Sequence, residues 1–326
     1  MRRSAWRRCR CSVWPKVLLT AIAAGCGGSD AAVEPDGPSL SQLSLFPEKQ
    51  VALVGEQLTL SVTARDLAGN VVPTVAPVFT TANATVVGIE PSGRIVARGA
   101  GTATVLARAG GKLAEATVYV GSPTYDLAAL GAPRVATADY IDLAKIERIS
   151  RFRSTVGHSY TDGSESCRSM KHYFQPRLTL DWTTVDVFSP VEGTVIVVRQ
   201  DGAWGKQILI RTRLVPFVTV ALFHVNPDAH VVPLAWLNAG DHVGRHASQS
   251  TMSDIAISIG PKEGGRLISY FDAMTDAVFQ RYQGRGVASR SALIVTQAER
   301  DADPVPCVGE SQFTVFGSLP NWVVLN

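Results

Sequence analysis

The sequence predicts a mainly β protein, with a β-sandwich in its first half and an antiparallel β domain with a few helices in its second half. Residues 40–121 contain short alternating, β-branched runs separated by glycine-rich turns, a pattern typical of a β-sandwich. After residue 185 apolar runs resume, and Pro190 to Gly193 supplies a Pro-x-x-Gly corner between two of them. With 46% hydrophobic and only 18% charged residues, the 326-residue chain can bury two separate cores.

Residues 1–26 have the layout of a secretory signal. An arginine-rich start without acidic groups precedes the apolar run from Val17 to Gly25, which is too short to span a bilayer. The tetrapeptide ending at Cys26 resembles the lipobox of bacterial lipoproteins, which implies that Cys26 is lipidated and that residues 27–39 are a tether. The alternative is an ordinary secretory signal with a chance cysteine. We therefore expect a lipid-anchored protein of the bacterial cell envelope, periplasmic or at the cell surface.

Charge and cysteine content limit the functional classes. The net charge of +3 includes the basic signal, so the rest of the chain is mildly acidic and offers no basic surface for nucleic acid. Outside the signal only Cys167 and Cys307 remain, and two cysteines in an exported protein usually form a disulfide. A bridge across so long a loop would contribute about 4 kcal/mol. The alternative is that Cys167 is a metal ligand or a reactive thiol.

The first β region carries a specific sequence pattern. Val54-Gly55-Glu56, the turn Asp66 to Gly69 and the run from Gly93 to Ala103 make residues 40–121 similar to the bacterial immunoglobulin-like group 2 domain. Phe79 stands where that family often has tryptophan. The resemblance implies a spacer or adhesive module at the cell surface, and we expect no catalytic site in it.

The segments around the second β region give mixed signals. Residues 122–137 form a linker, and the second domain is predicted to cover residues 138–326. Apolar residues recur every third position from Tyr140 to Phe152, which predicts a helix that delivers the chain into the following polar stretch. Tyr270 to Tyr282 is also predicted to be helical, whereas residues 291–301 fit a strand or a helix.

The stretch after this first predicted helix contains the first candidate chemistry. His158 and Asp162 form an H-x-x-x-D motif, which can give a metal one imidazole nitrogen and one carboxylate oxygen. The Pro190 to Gly193 corner, the strand around His224 and the turn from Gly240 to Gly244 follow in order. This order resembles the lysostaphin-like, LytM-type zinc endopeptidases of bacterial cell walls. The resemblance implies that His158 and Asp162 bind zinc and that His224 assists catalysis.

The closing motif of that family, H-x-H, is missing from this sequence. Asp254 lies where the motif should fall, and two registers are open. In one, Asp254 replaces the catalytic histidine and Ala256 replaces the third zinc ligand. In the other, Met252 replaces the catalytic histidine, and His158, Asp162 and Asp254 hold a metal with lower selectivity for zinc. Both registers remove a catalytic imidazole, which should cost several kcal/mol of transition-state stabilisation.

These residues favour a degenerate peptidase-like domain. We expect an envelope lipoprotein that binds a peptidoglycan peptide or an envelope protein and regulates wall processing without cutting. One alternative is an active zinc-dependent peptidoglycan endopeptidase with an altered ligand set. A second alternative is a structural surface module in which both domains are purely architectural.

Overall fold

The structure is a computed structural model that describes residues 39–73, 75–260, 265–309 and 312–326. The predicted signal, Cys26 and nearly all of the predicted tether lie outside the described residues. The predicted fold class is confirmed, because the described chain is mainly β, with mostly antiparallel sheets and a few short helices. Residues Ser39–Asn326 form one compact unit.

Nine strands form the first β region. They make a four-stranded sheet in the order β2-β9-β8-β5, a three-stranded sheet β3-β7-β6 and the pair β1-β4. All strand pairs are antiparallel except β2 with β9. The strands are β1 (Leu40–Phe46), β2 (Lys49–Leu53), β3 (Gln57–Thr59), β4 (Ser61–Asp66), β5 (Val78–Thr81), β6 (Val87–Ile89), β7 (Arg94–Ala97), β8 (Gly101–Ala109) and β9 (Lys112–Gly121).

Alternation along these strands builds one apolar core. In β8 the residues Ala103, Val105 and Ala107 point inward and are almost fully buried, while their neighbours are more exposed. The core contains mostly alanine and valine, so the facing sheets can approach closely. The period-two pattern in the sequence therefore locates these strands. The immunoglobulin-like identity of this region and its exact boundaries remain predictions.

A larger sheet dominates the second β region. Its main path is β16-β13-β14-β15-β18-β11-β10-β22, and β12, β17 and β19 join at its margins. The strands, with a separate small hairpin β20-β21, are β10 (Ile146–Ser150), β11 (His172–Pro176), β12 (Asp186–Phe188), β13 (Gly193–Gln200), β14 (Lys206–Thr212), β15 (Val218–Pro227), β16 (Trp236–Leu237), β17 (His242–His246), β18 (Ser253–Ile259), β19 (Arg266–Ile268), β20 (Cys307–Val308), β21 (Gln312–Phe313) and β22 (Trp322–Val324).

Helices cover one face of this sheet. The buried aromatic residues Tyr270, Phe271 and Tyr282 pack against Phe174 of β11 and close the main core. No helix within the described residues is long and apolar enough to cross a bilayer. The helices are α1 (Leu127–Leu130), α2 (Tyr270–Ala273), α3 (Asp276–Gln283) and α4 (Gln297–Ala302). The predicted helix from Tyr270 to Tyr282 is thus confirmed, with a break between α2 and α3.

The helix predicted from Tyr140 to Phe152 is wrong. The segment contains a 3-10 turn at Leu143–Lys145 and then strand β10, which pairs with β11 and β22. A spacing of three matches a helical face only if the segment is helical throughout. Here β10 gains backbone partners on both sides, so pairing with distant strands outweighs the local pattern.

The predicted disulfide between Cys167 and Cys307 is confirmed. The two Cα atoms lie 5.5 Å apart, although the residues are 140 positions apart in sequence. The bridge fixes the short β20-β21 hairpin beside the loop that follows His158. A structural role for Cys167 thus replaces the alternative of a metal ligand or a free thiol.

The two β regions contact each other directly. The backbone N–H of Val51 donates to Thr194 Oγ1 at 2.9 Å, and Arg211 Nη1 forms an ion pair with Glu56 Oε2 at 2.5 Å. Tyr119 stacks on Trp236, with 5.4 Å between the ring centroids. Strands β2 and β9 and the turn at Glu56 therefore stand beside strands β13, β14 and β16 of the large sheet.

Candidate functional site

A buried lysine lies at the centre of the residues that the sequence singles out. Lys171 Nζ forms an ion pair with Asp254 Oδ2 and lies 3.2 Å from His158 Nε2. Lys171 and Asp254 are almost fully buried. His158 Nδ1 lies 2.8 Å from the carbonyl oxygen of Ser159, so the ring donates there and turns its Nε2 lone pair towards the ammonium. We call His158, Lys171, His224 and Asp254 the lysine site.

Three aromatic rings enclose the ammonium. Lys171 Nζ lies 4.5 Å from the ring centroid of Phe223, 4.8 Å from that of Tyr173 and 5.1 Å from that of Tyr160. Each ring offers its negative face to the cation. Gly157 has a φ of 69°, and a Cβ there would collide with the hydroxyl of Tyr173. Glycine at this position therefore allows the loop that carries His158 to reach the ring.

Burial and charge set opposite protonation states for neighbouring groups. Burial alone lowers the pKa of Lys171, but the Asp254 carboxylate outweighs burial and holds this pKa above its ordinary value. Burial and the Lys171 charge lower the pKa of His158. At neutral pH the site therefore contains the charged ammonium of Lys171 beside the neutral imidazole of His158. The lone pair on His158 Nε2 accepts a hydrogen bond from the ammonium.

His224 reaches this site from a β-bulge in strand β15. Lys206 pairs with Val225 and Ile208 with Leu222, so two residues of β15 oppose one residue of β14. His224 has a φ of 57°, in the left-handed region that side chains other than glycine rarely adopt. The bulge aims the imidazole inward, where Nε2 lies 3.2 Å from Asp254 Oδ1 and Nδ1 lies 3.2 Å from Asp201 Oδ2. Such local strain is common at binding and catalytic sites.

Asp162 takes no part in the lysine site. Its carboxylate accepts from the backbone N–H of Leu267 at 2.8 Å and from Arg266 Nε at 3.2 Å. Its other oxygen accepts from the N–H and hydroxyl of Ser164. The structure thus brings His158, His224 and Asp254 together but gives Asp162 a different role, which is to tie its loop to β19.

The lysine site does not fit a zinc ion. A zinc ligand must direct a lone pair at the metal, whereas His158 Nε2 and the Asp254 carboxylate both face the Lys171 ammonium. Ala256, which one register places at the third ligand position, lies in an apolar cluster with Leu209, Ala221 and Phe223. Among the described residues, no group of three or more His, Cys, Asp or Glu side chains is arranged to hold a metal.

The other histidines lie apart from the lysine site. His172 is fully buried, with Nδ1 2.8 Å from the Ser150 carbonyl oxygen and Nε2 2.9 Å from Ser269 Oγ. His242 contacts Asp228 and Asp186 at the margin of the sheet. His246, which the Gly-flanked turn suggests is exposed, is buried, and its Nε2 donates to the Thr251 carbonyl oxygen at 2.8 Å. None of the three contacts Lys171 or Asp254.

Sequence reasoning missed the role of Lys171. Because Lys171 is close to Arg168 and Cys167 in the sequence, we would expect it to be a solvated or ligand-facing cation. Its side chain is only 2% exposed. Strand alternation is the signal that could have found it, because Lys171 and Tyr173 share one face at the start of β11 while His172 and Phe174 face the core.

The cleft over the site, about 380 Å³ in volume, is lined also by Arg199, Asp201, Trp204 and Gln312. Trp204 is about half exposed there.

Comparisons with known proteins give only partial likenesses. No family profile matches the chain, and no curated protein matches it. A zinc containing peptidase from Vibrio cholerae is 13% identical, with coverage of 66% of this chain and 78% of the peptidase and a TM-score of 0.32. A putative glycyl-glycine endopeptidase LytM from Ruminococcus gnavus is also 13% identical, with coverage of 42% of this chain and 61% of that one and a TM-score of 0.27.

Domains 4 and 5 of the S-layer protein SbsC are 21% identical, with coverage of 26% of this chain and 53% of the SbsC fragment and a TM-score of 0.24. The chain thus spans between about half and two thirds of the SbsC and LytM structures that it resembles. At these TM-scores the likenesses carry no argument about function.

Proposed function

We propose that this chain is an envelope protein that binds a peptide of the bacterial cell wall in the cleft over the lysine site and does not cleave it. The observation that carries the proposal is the Lys171–Asp254 ion pair, in which a buried ammonium lies between His158 and Asp254, two of the three residues that the sequence suggests as metal ligands. The cation of this site is part of the chain.

The lysine site lacks the parts that amide hydrolysis needs. A metallopeptidase polarises the scissile carbonyl and activates a water molecule through its metal. Lys171 holds its proton, because Asp254 stabilises the ammonium, so it offers no lone pair for general-base work. The imidazole of His224 lies beside Asp254 and Asp201, but an imidazole without a metal or a nucleophile does not activate an amide.

The same residues suit a binding role. The cleft combines an exposed indole, Trp204, with the polar groups of Arg199 and Asp201. Buried amide groups of a ligand need hydrogen-bond partners, and these side chains supply both donors and acceptors. A lipid anchor at Cys26 would place this cleft at the membrane, within reach of wall fragments or of an envelope enzyme, so that binding regulates wall processing.

The experiment combines metal analysis with binding. We expect the purified chain to contain zinc far below one equivalent, to release no fragments from muropeptides by mass spectrometry, and to sediment with peptidoglycan sacculi. Trp204→Ala should lower the affinity for sacculi about tenfold, as measured by co-sedimentation, since loss of an aromatic anchor commonly costs about 1–2 kcal/mol of binding free energy. Trp322→Ala, outside the cleft, is the matched control.

Two results would overturn the proposal. Stoichiometric zinc together with cleavage products would indicate an active endopeptidase. Sedimentation that is absent, or equal in the Trp204→Ala and wild-type proteins, would leave a structural surface module as the better description.

A further inference from the structure

A second cavity, about 700 Å³ in volume, lies beside the lysine site at the junction of the two β regions. Strands β14, β15 and β18 form its floor, and Leu53 and Glu56 of the first region form part of its wall. We call it the junction cavity. Its volume falls within the range of about 300–1,000 Å³ that is usual for sites of small organic ligands.

Small side chains at the centre of the floor create the junction cavity. Ala221 of β15 pairs directly with Ala256 of β18, and Leu209 of β14 pairs with Ala221 on the other side. The three residues form one apolar row on the face of the sheet opposite the main core. Since two neighbouring positions in this row carry only a methyl group, the sheet has a depression there that larger side chains would fill.

The charges around the junction cavity are unequal. Arg211 is neutralised by its ion pair with Glu56. Arg199 stands at the end nearest the lysine site, where its Nε donates to the neutral Gln207 Oε1 at 2.6 Å. Among the described residues, no carboxylate lies within ion-pair distance of Arg199. One end of a mostly apolar cavity therefore has a positive charge without a carboxylate partner.

The apolar lining of the junction cavity disfavours a ligand with many amide groups. Besides the charged groups, the walls are mostly aliphatic, aromatic and proline side chains, including Pro123, Ile196, Pro216 and Phe217. A peptide buried here would leave several amide groups without partners, each at a cost of about 1–3 kcal/mol. An alkyl chain has no such groups, and each buried methylene contributes about 0.8 kcal/mol.

We infer that the junction cavity binds a single-chain fatty acid, with the alkyl chain over the Leu209–Ala221–Ala256 row and the carboxylate on the Arg199 guanidinium. An arginine fork matches a carboxylate with two parallel hydrogen bonds. The site is separate from the proposed wall-peptide cleft, although Tyr160 and Arg199 line both. It does not depend on that cleft being occupied.

Calorimetric titration of the full chain with laurate and with lauryl alcohol tests the inference. We expect laurate to bind about tenfold more tightly than the alcohol, because only the acid pairs with Arg199. Arg199→Gln should abolish this difference, Arg199→Lys should retain part of it, and Arg177→Gln, an exposed arginine elsewhere, should leave it unchanged.

A second test fills the junction cavity with larger side chains. Ala256→Leu and, separately, Ala221→Leu should weaken laurate binding at least tenfold, while circular dichroism and thermal melting report whether each variant is folded. Equal affinity of the wild-type protein for laurate and lauryl alcohol would overturn the inference. So would unchanged laurate binding in either folded leucine variant.

Discussion

The large sheet places histidine and aspartate together at two sites with opposite consequences. In the lysine site Asp254 is fully buried and His158 is partly buried, and Lys171 supplies the positive charge. At the sheet margin, His242 lies between Asp228 at 2.7 Å and Asp186 at 3.2 Å, and all three side chains are partly exposed. We call these three residues the edge cluster. The hydrogen bond to Asp228 raises the pKa of His242, whereas burial lowers that of His158.

The difference shows that burial, more than residue type, decides which group carries the positive charge beside an aspartate. In a dry site a carboxylate must have a permanent cation, and the lysine provides it. At a wet margin the imidazole itself becomes the cation when the pH falls. Four measurements can break or sharpen this comparison.

The largest effect is expected for Asp254→Ala. The substitution leaves the Lys171 ammonium buried without a carboxylate, and removal of one partner from a buried ion pair costs about 3–5 kcal/mol of folding stability. Asp228→Ala in the edge cluster is the matched control and should cost less than about 1 kcal/mol. Urea unfolding measures both free energies. Equal losses at the two positions would remove the distinction between the clusters.

The next effect concerns pH and the fully buried imidazole behind the lysine site. Burial lowers the pKa of His172 from 6.5 to about 4. The unfolded chain therefore takes up this proton first, so the stabilisation is present above about pH 6.5 and is lost as the pH falls towards about 4. The loss should reach about 3 kcal/mol.

Unfolding free energies at about pH 7.5 and pH 4.5 measure this loss, with His172→Gln as the test variant and the exposed His230→Gln as its control. The acid-induced loss should be smaller in His172→Gln than in the wild-type protein. An equal loss in both would contradict the assignment.

The third effect is a gain of metal binding. Lys171→Met removes the ammonium and leaves the Asp254 carboxylate facing the imidazoles of His158 and His224. Zinc at a hundred times its dissociation constant would stabilise such a site by about 2.7 kcal/mol. A higher melting temperature with zinc is expected for this variant but not for the wild-type protein or for Lys145→Met, which alters the edge cluster. Equal stabilisation of the wild-type protein would show that Lys171 does not exclude the metal.

The smallest effect lies in the edge cluster. Because the pKa of His242 is raised, its contribution to stability is complete below about pH 6.5 and disappears as the pH rises through the raised value. Asp228→Asn should lower this pKa while changing stability by less than about 1 kcal/mol. An NMR titration of the imidazole proton measures the shift. An unchanged pKa would mean that Asp228 does not hold the charge.

The sequence predicted the fold better than the site. The alternating runs between residues 40 and 121 form strands, and the expectation that two cysteines of an exported protein pair agrees with the Cys167–Cys307 bridge. Local patterns failed where the partner is distant in sequence. Strand β10 pairs with β11 and with β22, which lies more than 170 residues later, and the spacing of apolar residues alone suggested a helix.

The same limit applies to the candidate ligands. Asp162 is held by the backbone of Leu267, more than a hundred residues away, and no motif around Asp162 indicates that partner. His158, His224 and Asp254 do come together, as the family resemblance implied. The ammonium among them depends on the direction in which the side chain of Lys171, the residue just before β11, points, and a motif search does not consider this direction.

The disulfide described above has a consequence for protein turnover. The Cys167–Cys307 bond closes a covalent ring that contains strands β11 to β19 and helices α2 to α4. A protease that cuts the backbone once inside this ring opens the chain but releases no fragment, because both pieces stay joined through sulfur. The cut protein would keep its full mass on a non-reducing gel and separate into two bands only after reduction. A single cut inside this ring therefore leaves both pieces in one molecule.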